Sequence, residues 1–427
     1  MKRIFLSLLI IIIVCLAPWT GGTKKLSAQR LQEVKLKELP LYSCVAYDRD
    51  TLEFPAGRKA FARFYNALNE TLYGSGAELS VLHIGGSHVQ AGHFSNRIRT
   101  NLSAMAPMAK GSRGCLFPFR ALRTNAPAGY DISYTGRWSG ARCVESAPSL
   151  SLGLAGASVQ TSDTLASLTL DLTATDSLCW TFNRLRVLGS GTSEQVVPVV
   201  VWEGDTLRPV EQVKGESYLF RLPADTAVCR LEFQGLETGS FELRGLIPER
   251  EQGKGITYHE AGVNGAAVPS WLRCDLFERE LGYVRPNLVI FGIGINDANV
   301  PASKFDVEAF KRNYRELIGR IRNVSPECAF LFVTNNDCFL RVKRYKRTYN
   351  PNTLKVEKAF RELAAECDGA VWNQFRVMGG YRSSASWQYA GLMRADRIHF
   401  TREGYELMGD LLYNALITDY LQFNGNK

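Results

Sequence analysis

Leu79-Ser-Val-Leu-His-Ile-Gly-Gly-Ser-His-Val-Gln90 decides how the rest of this chain is read. Leu79, Val81, Leu82 and Ile84 make a short apolar run that stops at two glycines. Such a run reads as a strand buried on both faces. His93 to Met105 then reads as a helix, and Phe61 to Leu72, upstream, as another. A serine between strand and helix stands at the C-terminal edge of a sheet. There its hydroxyl faces a crevice, beside the free N–H groups of a helix start. Taken alone, Gly-Gly-Ser is also an ordinary turn, so the surrounding chain has to decide.

Working outward, the stretch from about 256 onward alternates strand and helix. Ile256–Ala261, Asn287–Gly292, Cys328–Thr334 and Gly369–Trp372 read as strands. Phe305–Ile321, Leu354–Cys367 and Gly404–Leu421 read as helices, the first with Phe310, Tyr314, Leu317, Ile318 and Ile321 on one face. Alternation of this kind implies a mostly parallel sheet with helices on both faces. In a 2-1-3-4-5 sheet, the strands ending at Ser87 and Gly292 are neighbours, and their ends form the switch point where ligands bind.

Residues 115–250 have another texture. Ser167–Leu172, Val196–Trp202, Tyr218–Leu222, Cys229–Phe233 and Ser240–Leu246 alternate in short runs, separated by turn-formers such as Gly189-Ser-Gly-Thr-Ser193. This spacing suggests a β-sandwich. The economical division is one α/β domain in two parts, 45–114 and 253–427, interrupted by an all-β insertion at 115–252.

Lys2 and Arg3 precede an almost wholly apolar Ile4–Leu16, and Leu26-Ser27-Ala28 fits a cleavage site, so residues 1–28 read as a signal peptide. The expected address is outside the cytoplasm: periplasm, cell envelope or secreted. An uncleaved anchor and lipidation at Cys15 are the other readings of the same segment. No other stretch is apolar enough for a membrane, which excludes a multi-span protein.

The 427 residues carry a formal charge of +9, which falls to +5 without Lys2, Arg3, Lys24 and Lys25. So mild an excess does not indicate a nucleic-acid partner. The densest basic run, Arg341 to Arg347, reads as a solvated loop, or more sharply as a contact to an anionic polymer. Nine cysteines follow Cys15, scattered and without C-x-x-C. They read as small apolar residues, with one or two bridges open. The five histidines include no His-Glu-x-x-His, and no metal or other cofactor is expected.

Two further stretches carry chemistry. Gly292-Ile-Gly-Ile-Asn296-Asp297 follows a buried strand, and the Asn296 amide there can reach a developing oxyanion. Its ordinary reading is a turn or helix cap. Asp396-Arg-Ile-His399 can fold a carboxylate back onto an imidazole and make it a positioned base, although a lone Asp-x-x-His is usually coincidence. Serine, amide and Asp/His pair in this order, at the ends of parallel strands, make one constellation.

That constellation resembles the SGNH/GDSL hydrolase family. The family's first block, Gly-Asp-Ser, is Gly85-Gly86-Ser87 here. Its second-block glycine is matched by Gly265 in Gly262-Val-Asn-Gly265, its third block by Gly294-Ile-Asn296-Asp297, and its last by Asp396 to His399. Gly86 departs from the family's aspartate and should loosen the loop. Gly-x-Ser-His-x-Gln is similar to the subgroup acting on O-acetylated cell-wall polysaccharides, members of which carry a β-sandwich between the first two blocks.

The resemblance implies a flavodoxin-like three-layer α/β/α hydrolase domain interrupted by a jelly-roll-like, carbohydrate-binding-module-like sandwich. It implies Ser87 as nucleophile, His399 as base and Asp396 as its orienter. The N–H groups of Ser87 and Gly265 and the Asn296 side chain would form the oxyanion hole. His88, Gln90 and Asp297 would bind substrate or support the loops. Trp271, Trp372 and Trp387 are weaker candidates for stacking on a sugar, with packing the ordinary reading, and the run from Gly379 to Trp387 reads as a loop over the site. The implied partner is an acetylated polysaccharide, with peptidoglycan favoured, and the implied activity removal of its acetyl groups. A polysaccharide O-acetyltransferase, a lipase-like acylhydrolase and a non-catalytic polysaccharide-binding protein are the alternatives.

Overall fold

The computed structural model describes residues 34–173, 178–343 and 346–425. The expected signal peptide lies outside the described residues.

Six strands form the central sheet: β1 (Leu52–Glu53), β2 (Glu78–Gly85), β3 (Gly255–Gly262), β4 (Leu288–Gly292), β5 (Ala329–Val333) and β6 (Ala370–Trp372). Their order is β1-β6-β5-β4-β2-β3. β2 through β6 are parallel to their neighbours, and β1 joins antiparallel at the edge. Leaving out β1, this is the 2-1-3-4-5 order read from the sequence.

Alternate residues of each strand enter opposite cores, as the two-residue repeat of a strand requires. Leu79, Val81, Ile290 and Leu331 pack with the helices Lys59–Tyr73, His93–Ala104 and Arg402–Gly425. Leu82, Ile84, Val289, Phe291 and Phe330 pack with Val307–Val324 and Asn352–Cys367. A sheet covered on both faces has no solvent side for polar residues, which is why its strands are near-continuous apolar runs. The result is a three-layer α/β/α fold.

Between β2 and β3 the chain builds two antiparallel sheets, one of six strands and one of five. They share one apolar core, in which Leu168, Leu170, Val200 and Leu231 meet Leu185, Val187, Phe220 and Leu243. The rings of Phe233 and Phe241, from opposite sheets, lie 4.9 Å apart. A buried ion pair ties this region to the rest: Arg244 Nε donates to Glu280 Oε1 at 2.6 Å, and Glu280 Oε2 accepts from Leu154 N–H at 2.7 Å.

Three local readings are corrected. Gly189-Ser-Gly191 is no turn but the end of a ten-residue strand, Phe182–Gly191. A Cβ on Gly189 would lie 2.5 Å from the Glu242 carbonyl, so glycine serves close strand approach rather than a bend. The basic run lies in a hairpin, Phe339–Lys343 with Lys346–Tyr349. The stretch after Gly380 includes a helix, Ser384–Tyr389. Among the described residues nine cysteines are free thiols; apolar packing describes the seven that are buried, while Cys44 is half-buried and Cys179 exposed.

Candidate active site

The chain leaves β2 through Gly85-Gly86 and turns directly into a one-turn helix, Ser87–Gln90. Gly85 has to be small: a Cβ there would sit 2.2 Å from Val89 Cγ2. The turn is closed by Val89 and Gln90 N–H groups donating to Gly86 O at 3.2 and 3.0 Å. Ser87 is thereby raised to the sheet edge.

Ser87 Oγ lies 2.9 Å from His399 Nε2. His399 Nδ1 lies 2.8 Å from Asp396 Oδ2. The other Asp396 oxygen accepts from the N–H groups of Ile398 at 2.8 Å and His399 at 3.0 Å. Arg397, with φ of 50°, supplies the left-handed residue that folds this four-residue loop onto itself. Partial burial opposes ionisation of Asp396. The bonds from the His399 ring and the two N–H groups outweigh it and hold the carboxyl well below the usual range. The carboxylate is thus a fixed acceptor for one ring nitrogen, which leaves the other to accept a proton from Ser87.

Across the crevice, Gly265 has φ of 81°, in the region that favours glycine. Its N–H has no partner among the described residues. Asn296 Nδ2 donates to Ala266 O at 2.9 Å. A primary amide has two protons, so the second remains for the cleft. A Cβ on Gly86 would lie 3.2 Å from Asn296 Nδ2 and 3.4 Å from Ala266 O. The glycine in place of the family's aspartate therefore lets this amide–carbonyl pair close against the serine loop. The cleft has a volume of about 610 Å³. Ser87, Gly265, Asn296 and His399 line it, with Asn125, Asn264 and Arg394.

The other three residues picked from the sequence are not among those lining the cleft. His88 faces a separate cavity of about 30 Å³, and its Nδ1 lies 2.9 Å from the Tyr405 hydroxyl. Burial, then the neighbouring His399, lowers its pKa to about 3. Gln90 is buried: its Oε1 accepts from Asn264 N–H at 2.6 Å, and its Nε2 donates to Asn125 O at 3.0 Å. Asp297 accepts from Val268 N–H at 3.1 Å, and burial pushes its pKa up to about 7 despite that bond. Trp271, Trp372 and Trp387 are fully buried, so packing accounts for all three.

Sequence reasoning missed Asn125 and Thr124. They come from the segment entering the sandwich and join a polar cluster with Gln90 and Asn264, in which Asn264 Nδ2 donates to Asn125 Oδ1 at 2.5 Å. No local pattern marks them, because their partners are brought near only by folding. Arg394 was missed as well, although it stands two residues before Asp396. Among the described residues no group of three metal-ligating side chains occurs, and no helix is long and apolar enough to cross a membrane.

Residues 236–407 match the model of the GDSL-like Lipase/Acylhydrolase family. The match spans Gly265, Asn296, Asp396 and His399, while Ser87 lies before it. A solved peptidoglycan O-acetylesterase is similar over 87% of this chain and 99% of its own, at 20% identity and a TM-score of 0.71. At that identity the likeness establishes the fold. An acetyl xylan esterase (17% identity, 38% of this chain and 81% of its own) and a family two carbohydrate esterase from Cellvibrio japonicus (10%, 69% and 99%) overlap less closely, with TM-scores of 0.30 and 0.27. No curated protein sequence matches the chain.

Proposed function

We propose that this chain, an esterase that belongs to the SGNH/GDSL hydrolase family, removes O-acetyl groups from a cell-envelope polysaccharide, with peptidoglycan the favoured substrate. The observation that carries the proposal is the Ser87–His399–Asp396 relay, with contacts of 2.9 and 2.8 Å, opening on a cleft walled by amides. Amide groups suit a hydroxyl-rich sugar, since each can donate and accept.

In this reading Ser87 Oγ attacks the acetyl carbonyl while its proton passes to His399 Nε2. Asp396 holds the ring tautomer and stabilises the imidazolium. The N–H groups of Ser87 and Gly265 and the second proton of the Asn296 amide receive the oxyanion. His399 returns its proton to the departing sugar oxygen. Water, deprotonated by the same nitrogen, then attacks the acetyl-enzyme and releases acetate. His88, Gln90 and Asp297 position the loops and do not touch substrate. The 115–252 segment is an insertion that shapes the approach of a polymer, and the residues on either side of it, 45–114 and 253–427, form the hydrolase unit. Lys2, Arg3 and the apolar Ile4–Leu16 support export to the periplasm or envelope.

Acetate release from O-acetylated peptidoglycan and from acetylated xylan, by wild type and by Ser87→Ala, tests the proposal. The expected result is release from peptidoglycan that falls at least ~10³-fold in the variant. Equal release by the two proteins would refute serine catalysis. Release from xylan alone would move the substrate to a plant polysaccharide.

A further inference from the structure

The loop that carries Asp396 and His399 brings a second charged side chain to the cleft. Arg394 lines the same cavity as Ser87 and His399. Its backbone is fixed to the relay. Arg394 N–H donates to His399 O at 2.9 Å, Arg397 N–H donates to Arg394 O at 3.0 Å, and Met393 pairs with Phe400 across the loop.

Its guanidinium is in the opposite condition. No hydrogen bond or ion pair engages it among the described residues, and the residue is exposed. Arg397, on the same loop, shows what a structural arginine looks like here. Its Nε donates to Gln388 Oε1 at 2.6 Å, its Nη1 to the Tyr349 hydroxyl at 3.3 Å, and its guanidinium covers the Phe339 ring at 4.7 Å. The lining around Arg394 is neutral or amide: Asn125, Asn264, Asn296, Asn299 and Tyr405. The carboxylate closest in sequence, Asp396, already accepts three hydrogen bonds. A held backbone and an unspent guanidinium on the wall of the nucleophile's cleft leave its N–H fork available to substrate.

Resting on the esterase reading above, we infer that Arg394 forms a carboxylate subsite, so that the enzyme prefers acetyl esters of sugars bearing an acidic substituent. A guanidinium matches a carboxylate with two parallel N–H···O bonds, which lysine cannot reproduce. The subsite would separate acidic glycans from neutral ones at the same acetyl position.

Two probes differing in one group test this: 6-O-acetyl-N-acetylmuramic acid, which bears a lactyl carboxylate, and 6-O-acetyl-N-acetylglucosamine, which does not. The expected wild-type ratio of kcat/KM favours the acid by about tenfold at low salt and narrows as salt is added. Arg394→Ala should bring the ratio to about one, and Arg394→Lys should recover only part of it. A wild-type ratio near one, or a ratio unmoved by Arg394→Ala, overturns the subsite. Calorimetric titration of Ser87→Ala with N-acetylmuramic acid and N-acetylglucosamine reads the subsite without catalysis. Tighter binding of the acid, lost on adding Arg394→Ala, supports it even where no serine-dependent acetate release is found, and equal binding overturns it.

Discussion

Asp297→Asn separates a residue that supports the oxyanion loops from one that binds substrate. The Asp297 carboxylate holds Val268 N–H, at the start of the helix that follows Gly265 and Ala266. It is half-buried, and that burial pushes its pKa from 3.8 to about 7. The unfolded chain ionises this group near pH 4, the folded chain near pH 7. Between those values the unfolded chain has already shed the proton and the folded chain has not, so stability falls as pH rises. The loss stops growing above pH 7, where both states are ionised. A shift of this size corresponds to about 4 kcal/mol as a ceiling, and the remaining solvent contact lowers the expectation to roughly 2–4 kcal/mol. Asparagine keeps an acceptor oxygen for Val268 and does not titrate. Relative to wild type, Asp297→Asn should gain that amount between pH 4 and pH 8, measured by urea unfolding at four pH values. Its acetyl-esterase kcat should stay within about threefold of wild type, since the Val268 bond survives. A stability difference independent of pH, or one that shrinks as pH rises, would falsify the reasoning. A large rise in KM with unchanged stability would place Asp297 against substrate instead.

Gln90→Ala removes the acceptor of Asn264 N–H, next to Gly265. Its kcat on a small acetyl ester should fall about 10–100-fold with little change in KM, because a loosened donor is felt most in the transition state. Gln90→Glu keeps an acceptor but loses the donors to Asn125, and should fall less. Arg244→Met leaves Glu280 buried without its cation, and should cost about 3–5 kcal/mol in denaturant unfolding. Replacing both members with apolar residues of similar volume should recover much of that loss.

The sequence made the site legible where chemistry is local. Strand, glycine pair, serine and helix lie within twelve residues, and Asp396 and His399 are one loop apart. The central sheet was legible because burial on both faces removes polar residues from its strands. Elsewhere the deciding contacts are distant. Gly189 looks like a turn residue because its reason for being glycine, the Glu242 carbonyl, belongs to a partner strand. β1 has two residues, too few for any pattern. Asn125 has no local mark because its partners Gln90 and Asn264 lie 35 and 139 residues away. The free guanidinium of Arg394 is a statement about what fails to approach it, and a linear reading has no access to that.

Ser112 and Thr257, 145 residues apart, share a hydrogen bond of 3.2 Å, and Lys110 pairs with Ile256 beside it. The chain thus leaves the α/β fold and re-enters it at one point. Closing a loop costs free energy that grows only with the logarithm of its length, about 0.6 kcal/mol for each doubling. Length by itself therefore costs the hydrolase fold little, and the parts of the insertion remote from the α/β fold can be enlarged or shortened without straining β2 against β3. Exchange of the whole segment meets two ties: the buried Arg244–Glu280 pair with Leu154 N–H, and the corner where Thr124 and Asn125 reach back to the Asn264 turn. A graft that discards the first leaves Glu280 buried without its cation, and one that discards the second must find another way to hold Gly265 in place.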